Sequence, residues 1–157
     1  MKAANLRVKE VLEGQGIDFE IRILDKAVRT AKLAAEALGC EVGQIANSLI
    51  FRDCAEDRAV LVMCAGDRRV DPGKIRRHSG IELGKADAAF VRAKTGFAIG
   101  GVPPVAHSES LLCLLDTSLR RHGEIWAAAG TPESVFRMTP DELHRITAGE
   151  WLDLVEE

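Results

Sequence analysis

Seven consecutive apolar residues, Ala59-Val60-Leu61-Val62-Met63-Cys64-Ala65, form the most apolar run in the chain. A run this short, with no polar residue at alternate positions, reads as a strand buried on both faces. Other elements must therefore cover it from each side. Ser48-Leu49-Ile50-Phe51 begins a second strand, which pairs with the first across the polar turn from Asp53 to Arg58. A buried strand pair of this kind commits the chain to a sheet-centred core.

The flanking segments supply that cover. Leu6, Val8, Val11 and Leu12 fall mostly on one stripe of a helix over residues 3–14, ended by Gly14 and Gly16. Phe19, Ile21 and Ile23 alternate as in a half-buried strand. Thr30 caps an alanine-rich helix from Ala31 to Leu38, which Gly39 stops. Val42 to Ala46 reads as a short helical turn. Asp71-Pro72 is an N-cap and first-position pair for a helix through His78, and a further helix runs from Lys85 or Asp87 to Lys94. Leu111 to Leu115 is a strand and Asp116 to His122 a short helix or turn. Ile125 to Ala129 and Ser134 to Met138 read as a strand and its return. Thr139-Pro140-Asp141-Glu142 is a capping box opening a helix to about Thr147, and the acidic Glu150 to Glu157 is a terminal helix or tail. Short strands mixed with helices, without a regular β-α-β rhythm, predict an α/β (α+β) chain. The expectation is one compact domain over residues 1–157, a mixed sheet surrounded by helices.

Composition narrows the partners. The formal charge is −3, yet Gly66 to Lys94 carries eight Lys/Arg against four Asp/Glu, a local basic region suited to limited phosphate contact. Solvated helix faces would account for the same residues. Five Phe, two Trp and no Tyr leave no extended row of stacking platforms for single-stranded nucleic acid. Cys40, Cys54, Cys64 and Cys113 have no C-x-x-C spacing and sit in or beside apolar segments. They read as reduced, partly buried thiols of a cytoplasmic protein rather than as a zinc site. The N-terminus has no signal-peptide core, and no apolar run is long enough to cross a membrane.

One loop stands out as a chemical candidate. Thr95-Gly96-Phe97-Ala98-Ile99-Gly100-Gly101-Val102-Pro103-Pro104-Val105-Ala106-His107 combines paired glycines, paired prolines and a histidine. Gly100 and Gly101 allow backbone shapes and close approaches that other residues do not. Pro103 and Pro104 fix their own φ and push the residues before them towards extended shapes. Exposed amides held in such a loop can stabilise an oxyanion. A plain connector between helix and strand would also use these residues. Gly130-Thr131 is a second glycine-containing loop beside an apolar strand. There is no P-loop, no G-x-G-x-x-G and no G-x-S-x-G elbow. His78, His107, His122 and His144 lack metal-ligand spacing, and Cys113 lies inside an apolar run. These patterns leave a backbone-amide site whose nucleophile is water or a substrate hydroxyl, with no metal and no cofactor.

The segment Lys94 to Pro104 resembles the signature loop of the YbaK / prolyl-tRNA editing family, the free-standing relatives of the editing domain inserted in bacterial prolyl-tRNA synthetase. Ala34 to Gly39, Gly43 to Leu49, Arg69-Val70-Asp71, Asp116, and Trp126 to Pro132 with Phe136 match in the same order, covering roughly residues 5–148. The resemblance implies a YbaK-like fold and hydrolysis of the ester linking a wrong amino acid to tRNA. Its implied partners are the acceptor end of aminoacyl-tRNA and prolyl-tRNA synthetase. It places Gly100 and Gly101 at the ester and Val102, Pro103 and Pro104 along the aminoacyl pocket, with Gly130 and Thr131 as the other wall.

One position departs from the family. Asn47 stands where many members carry a lysine that holds the terminal nucleotide. Asparagine donates a hydrogen bond but brings no charge to a phosphate. The chain is then either an editing deacylase working through an altered site or a non-catalytic module that binds a tRNA end or aminoacyl group. Arg69, Arg92 or Lys94 are the candidates for a replacement charge. His107 either contacts substrate in the pocket or caps the next turn. Asp116 is expected to anchor the turn after its strand.

Overall fold

The computed structural model describes all residues from Met1 to Glu157. The apolar run is β3 (Arg58–Ala65), buried at every position after the first. It pairs antiparallel with β2 (Ala46–Asp53) through eight register pairs, from Ala46 opposite Ala65 to Asp53 opposite Arg58. On its other side β5 (Leu112–Asp116) runs parallel to it, and β8 (Glu150–Leu152) runs parallel to β5. A two-residue strand, β4 (Leu83–Gly84), covers only the end of β2 at Arg52 and Asp53. The order is therefore β4-β2-β3-β5-β8.

A second, antiparallel group has the order β1-β7-β6, formed by β1 (Ile21–Ile23), β6 (Ile125–Ala128) and β7 (Ser134–Met138). An isolated parallel bridge between Ile45 and Trp126 links the two groups. The sheet is mixed, as the α/β (α+β) reading expects, and it curls at this seam.

Five helices surround it: α1 (Ala3–Gly14), α2 (Ala31–Leu38), α3 (Pro72–Ser79), α4 (Ala88–Thr95) and α5 (Pro140–Thr147). Their limits follow local chemistry. The Thr30 hydroxyl accepts from the Leu33 N–H, and Gly39 closes α2 at φ 69°. The Asp71 carboxylate accepts from Gly73 and Lys74 N–H, with Pro72 opening α3. Thr139 and Glu142 exchange bonds in the reciprocal box that opens α5. No helix is long and apolar enough to cross a membrane.

Alternation along β3 splits the core in two. Leu61, Met63 and Ala65 join Val8, Leu12, Phe97, Phe136 and Leu143 on one face. Val60, Val62 and Cys64 join Ile75 and Leu154 on the other. In α1 the buried stripe is Asn5, Val8 and Leu12, while Leu6 is half exposed. Asn5 takes the core position because its amide has buried acceptors at Ala129 C=O and Ser134 Oγ, each 2.8 Å away.

The acidic C-terminus is a strand rather than a helix or tail, and Val155 beyond it bridges Val70. Two buried polar groups hold it. Asp116 Oδ1 accepts from Leu154 N–H at 2.7 Å, while Oδ2 accepts from Ser118 N–H at 2.9 Å. Lys74 Nζ donates to Val155 C=O at 2.7 Å and pairs with Asp153 at 3.0 Å. Asp116 therefore anchors both the turn after β5 and the chain end. Asp116→Ala would leave two amides without acceptors, at about 1–3 kcal/mol for each buried group left unpaired. Chemical denaturation is expected to show a loss of roughly 2–6 kcal/mol with the m-value little changed.

Candidate functional site

Beyond the Ile45–Trp126 bridge no further pairing joins β2 to β6; β4 covers the outer edge of β2 only at Arg52 and Asp53, and the outer edge of β6 has no strand partner. A cleft of about 350 Å³ opens between them. Six consecutive residues of β2, Ala46 to Phe51, and three of β6, Trp126 to Ala128, line it. A groove on a sheet face would meet only alternate residues. Consecutive lining means that the cleft runs along strand edges. Val28 to Ala31, Ile99, Gly100, Val102, Pro132, Ser134 and Val135 complete much of the lining, and Pro132 lies beside Gly100.

The glycine-proline loop reaches the cleft by its tip. Gly96 ends α4 at φ 81°, and Ser108 N–H donates back to Thr95 C=O, closing the loop at its base. Gly101 N–H donates to Ala98 C=O, and Gly100 has φ 88°, the left-handed third position of a type II turn. Phe97, Val102, Pro103, Pro104 and Val105 are buried, whereas Ile99 and Gly100 are exposed. Gly101 answers a different need. A Cβ there would lie 2.7 Å from Thr131 Cα and 2.8 Å from its carbonyl carbon. The two glycine loops therefore touch backbone to backbone. Ser134 Oγ fixes the second loop, accepting from Asn5 Nδ2 and lying 3.2 Å from Thr131 N and 2.6 Å from Thr131 Oγ1.

The cleft contains no Asp, Glu, His or Cys, and Arg29 is its one cation. Its three hydroxyls have protein partners: Thr30 caps α2, Ser48 Oγ lies 3.2 Å from Met63 Sδ, and Ser134 belongs to the Thr131 network. The thiols of Cys64 and Cys113 lie elsewhere in the core, and burial pushes both up to about 12.

The aminoacyl-tRNA editing domain model matches residues 25–146, which include every element of this cleft. The chain belongs to the aminoacyl-tRNA editing domain family. Among solved structures, a candidate trans-editing enzyme for prolyl tRNA synthetase is 44% identical, with a TM-score of 0.93 over all of this chain and 99% of that one. The hypothetical protein APE2540 is 28% identical with a TM-score of 0.88, over 96% of this chain and 99% of that one. YwhH of Bacillus subtilis (strain 168) is 33% identical over 129 residues, 82% of each chain.

Within this editing domain the residues singled out by sequence separate into three groups. Asn47, Gly100 and Val102 line the cleft. Gly101, Pro103, Pro104, Gly130 and Thr131 are buried and do not line it; in the second loop Pro132, rather than Gly130 or Thr131, is a lining residue. Arg69, Lys94 and His107 lie outside it. The Arg69 carbonyl accepts from Glu156 N–H at the C-terminal edge. Lys94 pairs with Glu109 at 3.6 Å, and Arg92 reaches the Gly96 carbonyl at 3.5 Å. His107 Nε2 lies 2.7 Å from the Pro103 carbonyl, which can only accept, so this nitrogen carries the proton. That bond ties the returning arm of the loop to its proline pair.

Sequence reading missed Arg29 and Pro132 as cleft residues. Arg29 precedes the Thr30 cap, and the Val28 N–H to Pro132 C=O bond at 2.9 Å draws its segment over the cleft. The position of Arg29 one residue before a helix cap was visible, but the long-range bond that brings it here was not.

Two outcomes test this geometry. Gly101→Ala forces a methyl group into the Thr131 backbone, and overpacking of this kind costs about 1–3 kcal/mol. Thermal unfolding is expected to shift downward accordingly, with cleft amide resonances displaced at both loops. Burial also holds the His107 imidazole below its ordinary value, against the opposing effect of the Pro103 bond. The neutral ring's contribution is fully present above the unfolded value of about 6.5 and is lost as pH falls through the folded value. Wild-type stability should decline over that window, and His107→Gln should flatten the decline in denaturant titrations at stepped pH.

Proposed function

We propose that residues 1–157 act as one trans-acting editing domain that hydrolyses mischarged aminoacyl-tRNA in the cytoplasm, including products of prolyl-tRNA synthetase errors. The single observation that carries this reading is a ligand-sized cleft edged by backbone and devoid of acidic, histidine or thiol side chains. Such a site has no protein base or nucleophile of those types to offer. It suits an ester whose own ribose supplies a neighbouring hydroxyl. Water adds to the acyl carbon and hands its proton on through that hydroxyl. The ester C–O bond breaks, and the departing ribose oxygen takes up a proton, leaving free amino acid and tRNA. The cleft volume of about 350 Å³ falls at the lower end of small-ligand pockets, consistent with one aminoacyl group rather than a long segment. Asn47 and the Gly100 tip bracket the ester, and exposed Arg29 meets a phosphate of the terminal nucleotides in place of the family lysine.

Purified protein incubated with Ala-, Cys-, Ser- and Thr-charged tRNAs should accelerate release of at least one amino acid over spontaneous hydrolysis. Arg29→Ala should lower kcat/KM about tenfold, mainly through KM, as expected for loss of roughly 1.4 kcal/mol from a charge-assisted phosphate contact. It should also reduce the salt dependence of tRNA binding by about one phosphate contact. Acceleration on none of these tRNAs would overturn the deacylase reading. The neutral Asn47 motivates a second reading, a module that binds the acceptor end without cleaving it. Salt-sensitive tRNA binding without hydrolysis, converted to hydrolysis by Asn47→Lys, would favour that reading.

A further inference from the structure

We infer that the uncovered edge of β2 at Ser48 is the seat of the substrate's amino-acid main chain, which binds as a one-residue strand. This rests on the aminoacyl reading of the cleft and adds the group that would recognise the acyl half. Hydrogen-bond parity along β2 supports it. Gly66 N–H donates to Ile45 C=O in the ladder to β3, and Ile45 and Gly66 extend the Ala46–Ala65 register by one pair. In an antiparallel ladder, successive residues alternate between bonding to that partner and pointing away from it. Odd-numbered residues from Ile45 to Asp53 therefore bond to β3, and even-numbered residues direct N–H and C=O to the opposite edge. The far end agrees: Cys54 N–H donates to Glu82 C=O on the β4 side, again an even position.

Only Arg52 and Asp53 have β4 as a partner, and the bridge to β6 is confined to Ile45. Ser48 is thus left with both main-chain groups facing the cleft, midway along the lining stretch. An amino acid esterified to a ribose presents a matching pair on one side, an α-ammonium and an ester carbonyl. The ammonium donates to Ser48 C=O, and the ester carbonyl accepts from Ser48 N–H. That second bond stabilises the negative charge the oxygen gains when water adds to the acyl carbon. The recognised feature is the α-amino ester itself, common to all charged tRNAs, which leaves selection among amino acids to the side chains around it.

Edge positions tolerate proline where the lost N–H is not part of the ladder. Ser48→Pro should therefore retain the fold, while Leu49→Pro, which removes a bond to β3, should not. With a tRNA that the wild type hydrolyses, Ser48→Pro should fall about a hundredfold below Ser48→Ala, the loss expected for one donor to a developing oxyanion. Independently, the alanyl amide of 3′-amino-3′-deoxyadenosine, titrated into uniformly labelled wild-type protein, should shift the Ser48 amide resonance in a saturable way. A folded Ser48→Pro with activity within about threefold of Ser48→Ala overturns the inference. So does a Ser48 amide that stays unmoved at the highest soluble concentration of the probe. Wild type inactive on every tRNA removes the deacylase reading, and the probe titration then decides the seat by itself.

Discussion

Two strand edges that face each other without pairing set the terms for this molecule. Main-chain N–H and C=O groups gain most when bonded, and β2 and β6 are close enough to bridge once, at Ile45 and Trp126. Continuation of that bridge would zip the seam and erase the cleft. Separation is maintained by what is packed around it. Pro132 accepts from Val28 in the α2 entry segment and lies beside Gly100 of the glycine-proline loop. The backbone contact of Gly101 with Thr131 joins these supports, so the opening depends on the absence of a single methyl group.

The support extends well away from the opening. Asn5 in the first helix donates to both Ala129 and Ser134, so the N-terminal helix helps to set the second glycine loop. Arg7 of the same helix lies 4.6 Å over the Phe97 ring and donates to the Gly96 carbonyl, bracing the first loop. Both loops are therefore held by one short helix that contributes nothing to the cleft lining. The brace combines a buried amide, Asn5, with an exposed guanidinium, Arg7.

Much of this was legible in the chain because it is written in local chemistry. Thr30 and Gly39 bound α2, Asp71-Pro72 opens α3, and the apolar run from Ala59 to Ala65 is the buried central strand. Composition marked the loop at Gly100-Gly101 only as a stiff segment with available amides, and it did not show that the two glycines serve different purposes, a turn and a close approach. What escaped depends on partners distant in sequence. Trp151, Leu152, Leu154 and Val155 form a strand and a bridged segment because Asp116 and Lys74 supply bonds from elsewhere, and acidic neighbours conceal that pattern. His107, Arg69 and Lys94 looked available for chemistry as residue types. Their hydrogen bonds and ion pair involve groups outside the cleft, and these partners are set by the tertiary fold rather than by residue type.

The open edge of β2 also bears on how the protein behaves in a crowded solution. An exposed, unpaired strand edge is a template on which other chains can add strands and begin to aggregate. Here the edge lines a cleft of about 350 Å³, and a charged arginine stands among its lining residues. A full strand from another molecule brings side chains on both faces and neighbours on either end, too much for that space. The recess thus limits by size what can add to this edge. That narrowness works against the folded chain seeding its own assembly.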